Sequence, residues 1–393
     1  MSTVLFTDIK TLVTNDSSLE VGKLGLLSDA AMVVENGHIS WVGSAAKAPA
    51  ADESVSLAGK TVLPGFVDSH AHLVFSGDRS AEFSARMNGT SYSAGGIMTT
   101  VKATRAASDA ELDENIATLA MEMYRSGITT FETKSGYGLN VEDELRSVRL
   151  ATQHTEDVTF MGAHLVPEEY SGRADDYVHL VCGEMLEKCA PYAKWIDVFC
   201  DQGAFDYDQA KVILQAGIAN DLLPRIHANQ LTSGRGVELA VELDCASADH
   251  LTHLTDKDVE LLSSSSTVAT LLPGAEFSTR SEFPNARRLI DAGATVALAT
   301  NCNPGSSFTT SMPFVIAVAV SQMQFTVEEA IWSATMGGAK ALRRDDVGVL
   351  AVGKSADFVV LNAPSFIHLA YRPGVDLISE TVIAGTSIYR SSN

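Results

Sequence analysis

Apolar and polar positions change their period twice along the chain. Near the N-terminus, Ala31-Met32-Val33-Val34 and His38-Ile39-Ser40-Trp41-Val42 flank Glu35-Asn36-Gly37. Asn-Gly between two apolar runs is the strongest short-range hairpin signal. Near the C-terminus, Ala356–Leu361 and Glu380–Ile383 read as strands, with Ala384-Gly385-Thr386 as a turn before Ser387-Ile388-Tyr389. Neither end supplies enough strands for a stable sheet by itself. The pattern therefore predicts one small β domain built from both termini; two separate β appendages are the alternative.

Between these ends, short β-branched runs alternate with helical patterns. Eight candidate strands stand out: Phe66–Ser69, Ile128–Thr133, Val158–Ala163, Trp195–Phe199, Leu223–Ile226, Cys245–Asp249, Thr267–Leu272 and Thr295–Thr300. The clearest helix follows Ser108, with Glu111 completing a capping box. It places Leu112, Ile116, Leu119, Ala120 and Met123 at helical spacing and stops at Gly127. Eight strands alternating with helices predict an α/β fold, a (β/α)8 TIM-like barrel, with a smaller β-sandwich domain formed from both chain termini. The expected boundaries are 1–63 and 346–393 for the two parts of the β domain and 64–345 for the barrel. The stretch from Val74 to Ser108, with Gly89, Gly95 and Gly96, reads as a loop-rich insertion over the active face.

Length agrees with this division, since 393 residues exceed one average domain and fit a barrel plus a smaller unit. The formal net charge of −21 argues against nucleic acid or an anionic membrane as partner, because both require a basic surface. Five cysteines, irregularly spaced and without a CxxC pair, read as reduced thiols of a cytoplasmic protein. Asp8, Asp16 and Glu20 in an opening without a basic start speak against a secretory leader. No apolar run of membrane-spanning length is present.

The chemistry concentrates at strand ends. In Asp68-Ser69-His70-Ala71-His72, alternation along an extended chain turns both imidazoles to one side. His164 follows the third candidate strand, His227 the fifth and His250 the sixth, while Asn301 follows the eighth. Barrel active sites lie at the C-terminal ends of the strands. Five of ten histidines thus fall on one rim, and a metal site is the natural reading of such a set. His38, His154, His179, His253 and His368 read as structural.

Pro64-Gly65-Phe66-Val67-Asp68-Ser69-His70-Ala71-His72 resembles the opening signature of the amidohydrolase superfamily. More specific stretches resemble the imidazolonepropionase family. These are His72–Arg79 with Glu82-Phe83, Thr133-Lys134-Ser135-Gly136-Tyr137-Gly138-Leu139, Gly162–Tyr170, Val198–Asp201 and Leu271–Ala275. The resemblance spans roughly residues 60 to 345. It implies hydrolysis of a small anionic cyclic amide, 4-imidazolone-5-propanoate, to N-formimino-L-glutamate in histidine degradation. It also implies a homodimer and one divalent metal ion, zinc or iron, held by His70, His72, His227 and the residue at position 301. His250, Asn301 and Gln230 then take the catalytic positions. Arg79, Tyr92, Tyr137, His164, Asn303, Gly305 and Ser306 line the substrate pocket, with Arg79 as the clamp for the propionate. A second metal is not expected, because Asp201 follows Cys200 where binuclear relatives place a carbamylated lysine.

One position departs from the family pattern. The strand-eight motif carries Asp where this chain has Asn301. Asn cannot act as a base and is a poorer metal ligand. Two explanations fit: a naturally weakened or non-catalytic scaffold, or a deliberate exchange that stops turnover while keeping shape. The intact remainder of the motif favours the second. Within the enzyme class, a dihydroorotase-like or deaminase-like hydrolase is the alternative, although a deaminase calls for a Glu near Gln230.

Overall fold

The computed structural model describes residues 2–20, 22–89 and 96–392. The chain opens with β1 (Thr3–Val13), β2 (Leu26–Glu35), β3 (His38–Ser44) and β4 (Glu53–Pro64). Nine short strands follow, separated mainly by helices. They are β5 (Phe66–Asp68), β6 (Ile128–Lys134), β7 (Asp157–Ala163), β8 (Trp195–Cys200), β9 (Leu223–Pro224), β10 (Ile226–Ala228), β11 (Ser247–His250), β12 (Val268–Leu271) and β13 (Val296–Leu298). The chain closes with β14 (Phe358–Leu361), β15 (Ile378–Ile383) and β16 (Thr386–Arg390).

All eight expected barrel strands are present, the fifth broken into β9 and β10. Pro224 supplies no N–H at that break, and the Arg225 N–H bonds the Ile196 carbonyl instead (2.9 Å). The order runs β13-β12-β11-β10-β8-β7-β6-β5, with parallel pairing recorded along it from β6 onward. Beyond the strand ends the circle is drawn together by the Asn301 N–H on the His70 carbonyl (2.9 Å) and the His72 N–H on the Cys302 carbonyl (2.8 Å). β6, β7, β8 and β11 are buried along their whole length, as strands inside a parallel barrel must be.

The terminal strands form one mixed sheet of order β16-β15-β14-β4-β1-β2-β3, in which only β1 and β4 run parallel. Asn36 and Gly37 turn the β2–β3 hairpin with φ of 52° and 80°, the left-handed pair that a two-residue hairpin loop needs. Ala384 and Gly385 repeat the device between β15 and β16. Phe6 and Phe358 meet edge to face at 5.0 Å within this unit's core.

The expected capping box is formed: the Ser108 hydroxyl accepts from the Glu111 N–H (3.3 Å) and Glu111 accepts from the Ser108 N–H (2.8 Å). The helix they start, Asp109–Arg125, ends just before Gly127 at φ 89°. The stretch from Val74 to Ser108 is more regular than expected, with helices at Ser80–Met87 and Ile97–Ala106. By its contacts the chain divides into two compact units. One comprises residues 1–68, 121–130 and 310–393; the other comprises 69–120 and 131–309. Among the described residues, no helix is long and apolar enough to cross a membrane.

Phe358 is fully buried, so Phe358→Ala should destabilise the protein by about 3–5 kcal/mol through lost transfer energy and the cavity left behind. Urea unfolding checks this, and a loss below about 1 kcal/mol would mean that the site collapses around the deletion.

Candidate active site

The rim histidines meet as a compact cluster. Ring centroids lie 4.5 Å apart for His70 and His227, 5.2 Å for His70 and His72, and 5.3 Å for His227 and His250. His164 stacks on His72 at 5.3 Å, and Tyr137 packs against His164 at 5.3 Å. All five imidazoles are buried. His250 and Leu251 both have positive φ, 80° and 62°, a conformation that costs free energy and clusters at functional sites. Asn301, at φ 52°, is of a residue type that tolerates this region.

Beneath the rings lies a layer of buried charge. His70 Nδ1 is 2.7 Å from Asp249 and His227 Nδ1 is 3.1 Å from Asp197. A carboxylate only accepts, so each Nδ1 carries the proton and each Nε2 presents a lone pair. Lys134 Nζ sits 2.9 Å from both Glu132 and Asp197. Arg225 lies 3.7 Å from Asp249 and donates to the Ser69 carbonyl. Burial alone would raise the pKa of Asp197, but His227 and Lys134 hold it well below the usual carboxylate range.

This layer was not anticipated from the sequence. Its one sequence signal is charge inside otherwise apolar strands, as in Trp195-Ile196-Asp197-Val198 and Phe131-Glu132-Thr133-Lys134. Asp201, read only as a missing lysine, accepts the N–H groups of Gln230 (2.7 Å) and Leu231 (2.8 Å) and so shapes the loop after β10.

The rings fit a metal ion. His70 Nε2 and His72 Nε2 are 3.3 Å apart, the edge of a tetrahedron whose nitrogens stand about 2.0–2.1 Å from a zinc-sized ion. The buried Nε2 of His227 has no hydrogen-bond partner. Among the described residues, the three imidazoles whose ligand atoms all lie within 4.8 Å of one another are those of His70, His227 and His250, with His250 where the expected set has His72. In the layer beneath, the carboxylates of Glu132, Asp197 and Asp249 are interleaved with Lys134 and Arg225.

Above the cluster opens a cavity of about 350 Å³, counting its mouth. His72, Arg79, Ile97, Tyr137, His164, Phe199, His227, Gln230, His250, Asn301, Asn303 and Ser306 line it. Most of the expected pocket residues are thereby brought together; Ile97 and Phe199 were not foreseen. His70 lies below the cavity wall, and Tyr92 falls outside the described residues. The described lining residues include no carboxylate.

Arg79 is almost fully buried, and Glu82 takes its Nε (2.8 Å) and Nη2 (2.7 Å) edge. Gly305 leaves room for the guanidinium: a Cβ there would stand 2.2 Å from Arg79 Nη1 and push it aside. The Asn303 side-chain oxygen Oδ1 accepts the N–H groups of Gly305 and Ser306, both at 2.8 Å, which curls the strand-eight loop around the cavity. The Asn301 amide contacts the Ser306 hydroxyl at 3.5 Å.

Comparison with known proteins agrees with this geometry. The amidohydrolase family model matches residues 61–386. The imidazolonepropionase of Mycolicibacterium smegmatis is 62% identical over 391 residues, covering 100% of this chain and 99% of its own. The chain belongs to the amidohydrolase family and, within it, to the imidazolonepropionases. Among solved structures, a triazine hydrolase variant superposes with a TM-score of 0.78 at 17% identity, covering 99% of this chain and 95% of its own. A mutant of atrazine chlorohydrolase from Arthrobacter aurescens, solved with zinc and atraton, gives 0.75 at 16% identity, with 98% and 95% covered. At such identity these two speak for the shared fold alone.

The cluster makes folding sensitive to pH. Burial first, and then neighbouring cationic groups or rings, hold His70, His72 and His250 well below the ordinary imidazole range and push His164 down to about 3. Unfolding returns each to about 6.5. The unfolded chain therefore binds more protons below that pH, and stability present above pH ~6.5 is lost as pH falls. The metal-free protein should lose up to about 1.4 kcal/mol per pH unit for each such histidine. Urea unfolding at pH 7.5, 6 and 5 checks this; equal stability at all three would contradict it.

Proposed function

We propose that this chain is a metal-dependent cyclic-amide hydrolase that acts on 4-imidazolone-5-propanoate and releases N-formimino-L-glutamate. The observation that carries the reading is the convergence of buried imidazoles beside the cavity: His70 Nε2 and His72 Nε2 stand 3.3 Å apart, and the buried Nε2 of His227 has no hydrogen-bond partner. The identity to imidazolonepropionases supplies the substrate.

His70, His72 and His227 would hold the ion, with the Asn301 side-chain oxygen as a weaker fourth ligand; three nitrogens and one oxygen suit zinc or iron. When bound, such an ion supplies Lewis acidity, which lowers the pKa of water and polarises a carbonyl. The chain's own residues do the rest. Arg79, oriented by Glu82 through Nε and Nη2, meets the propionate with its guanidinium. His164 donates Nδ1–H to the Gly136 carbonyl (3.0 Å), so its Nε2 accepts a ring N–H of the substrate. Asn303 and Ser306 complete the polar wall. Addition of water to the ring carbonyl breaks the C–N bond, and the water proton must reach the departing nitrogen. His250 lines the cavity within reach of that path. Asn301 stands where a carboxylate would take the proton, and an amide cannot do so.

Turnover by the chain as it stands is therefore slow, and binding persists. Asn301→Asp should raise the rate of imidazolonepropanoate hydrolysis by at least ~10², the usual worth of a general base. Equal rates would move the proton transfer to His250. Arg79→Ala should weaken substrate binding by about 2–4 kcal/mol, and Arg79→Lys should recover only part, because Lys lacks the fork. Calorimetric titration measures both; unchanged affinity in Arg79→Ala would place the anion elsewhere.

A further inference from the structure

The segment Gly136–Leu139 carries Tyr137 into the cavity, and its backbone is unusual. Gly136 and Leu139 have φ of 106° and 51°. There is no room for a Cβ on Gly138, which would meet the Asp143 carbonyl carbon at 2.6 Å. No sheet or helix ladder holds these peptides; side chains do. The fully buried carboxylate of Glu144 accepts the N–H groups of Gly136 (3.1 Å), Gly138 (2.8 Å) and Leu139 (2.8 Å). From the carbonyl side, Arg105 donates to Gly138 (2.6 Å) and Leu139 (3.2 Å). The Gly136 carbonyl receives His164 Nδ1 at 3.0 Å.

We infer that Glu144 and Arg105 are positioning residues: they set the Gly136–Leu139 backbone, and through it the place of the Tyr137 ring and the tautomer of His164. Neither lines the cavity, so their effect on it passes through that segment, and Arg105 is itself held by Glu169 (2.8 Å). The physical reason is that buried peptide groups in a left-handed turn must be satisfied, and charge-assisted bonds satisfy them most strongly. Glu144→Gln removes the negative charge that strengthens these bonds and sets an N–H₂ group against the Gly136 N–H that now faces Oε2. The segment then relaxes, Tyr137 leaves its place 6.0 Å from His72, and His164 loses the carbonyl that keeps its proton on Nδ1. The inference rests on the reading of this cavity as the substrate site.

Two measurements on the full chain test it. Amide hydrogen exchange over residues 135–140 should accelerate about tenfold or more in Glu144→Gln, with the other barrel strands unchanged. Arg105→Gln, at a partly exposed position that tolerates change, should do the same to a smaller extent. Titration with imidazole-4-propionate, a ring analogue that cannot be hydrolysed, should show about tenfold weaker binding in Glu144→Gln. In a Tyr137→Ala/His164→Ala background, Glu144→Gln should cause no further loss. Unchanged exchange in both variants, or an affinity loss that adds fully in that background, overturns the inference. Accelerated exchange in a parent that does not bind the probe supports the clamp and sinks the substrate reading instead.

Discussion

The site depends on one constraint: the imidazoles of His70, His72, His164 and His250, kept out of water, must stay neutral and correctly oriented. Burial disfavours their charged forms, and the carboxylates beneath fix which nitrogen carries the proton. Asp249 and Asp197 set His70 and His227 with their Nε2 lone pairs turned to the same space. Those carboxylates are themselves buried, which is tolerable only because Lys134 bridges Glu132 and Asp197 and Arg225 stands beside Asp249. Removing any one partner leaves an uncompensated buried charge. The ion-pair layer is thus an instrument of orientation more than of stability.

Barrel geometry puts this layer to use. Side chains alternate along a strand, so His227 on β10 and Asp197 on the neighbouring β8 approach each other across adjacent strands. At the C-terminal ends, backbone bonds from Asn301 to His70 and from His72 to Cys302 bring the last strand against the first. The strand-eight loop therefore closes over the same cavity that the first strand opens. Arg79, seated between Glu82 and the bare Gly305 backbone, gives that cavity its cationic side in a chain of formal net charge −21. An anionic substrate is drawn by this local arrangement and not by the overall field.

Much of this was legible in the sequence, for identifiable reasons. β-branched runs bounded by polar turns mark the barrel strands, and Asn36-Gly37 marks the first hairpin, because period and turn chemistry are local properties. The rim histidines were legible because each lies at or just beyond the C-terminal end of an apolar strand run. What stayed hidden is pairing at a distance. Nothing local in Thr130-Phe131-Glu132-Thr133-Lys134 says that Lys134 will reach Asp197 on another strand. The helices at Ser80–Met87 and Ile97–Ala106 were missed because glycines nearby suggested loops. Glu82 was read as part of a motif, and its grip on Arg79 emerges only once that turn is helical. At position 301 the sequence carries an amide, and the described cavity lining includes no carboxylate.

The claim that the ring cluster is a metal cradle meets its most direct test in a zinc titration. Metal-free parent and His227→Ala would be compared by equilibrium binding and elemental analysis. His227 offers a buried Nε2 without a protein partner, so its loss turns three imidazole ligands into two. The parent should bind one ion per chain, and His227→Ala should bind at least about tenfold more weakly. Full occupancy at unchanged affinity in His227→Ala would contradict the cradle.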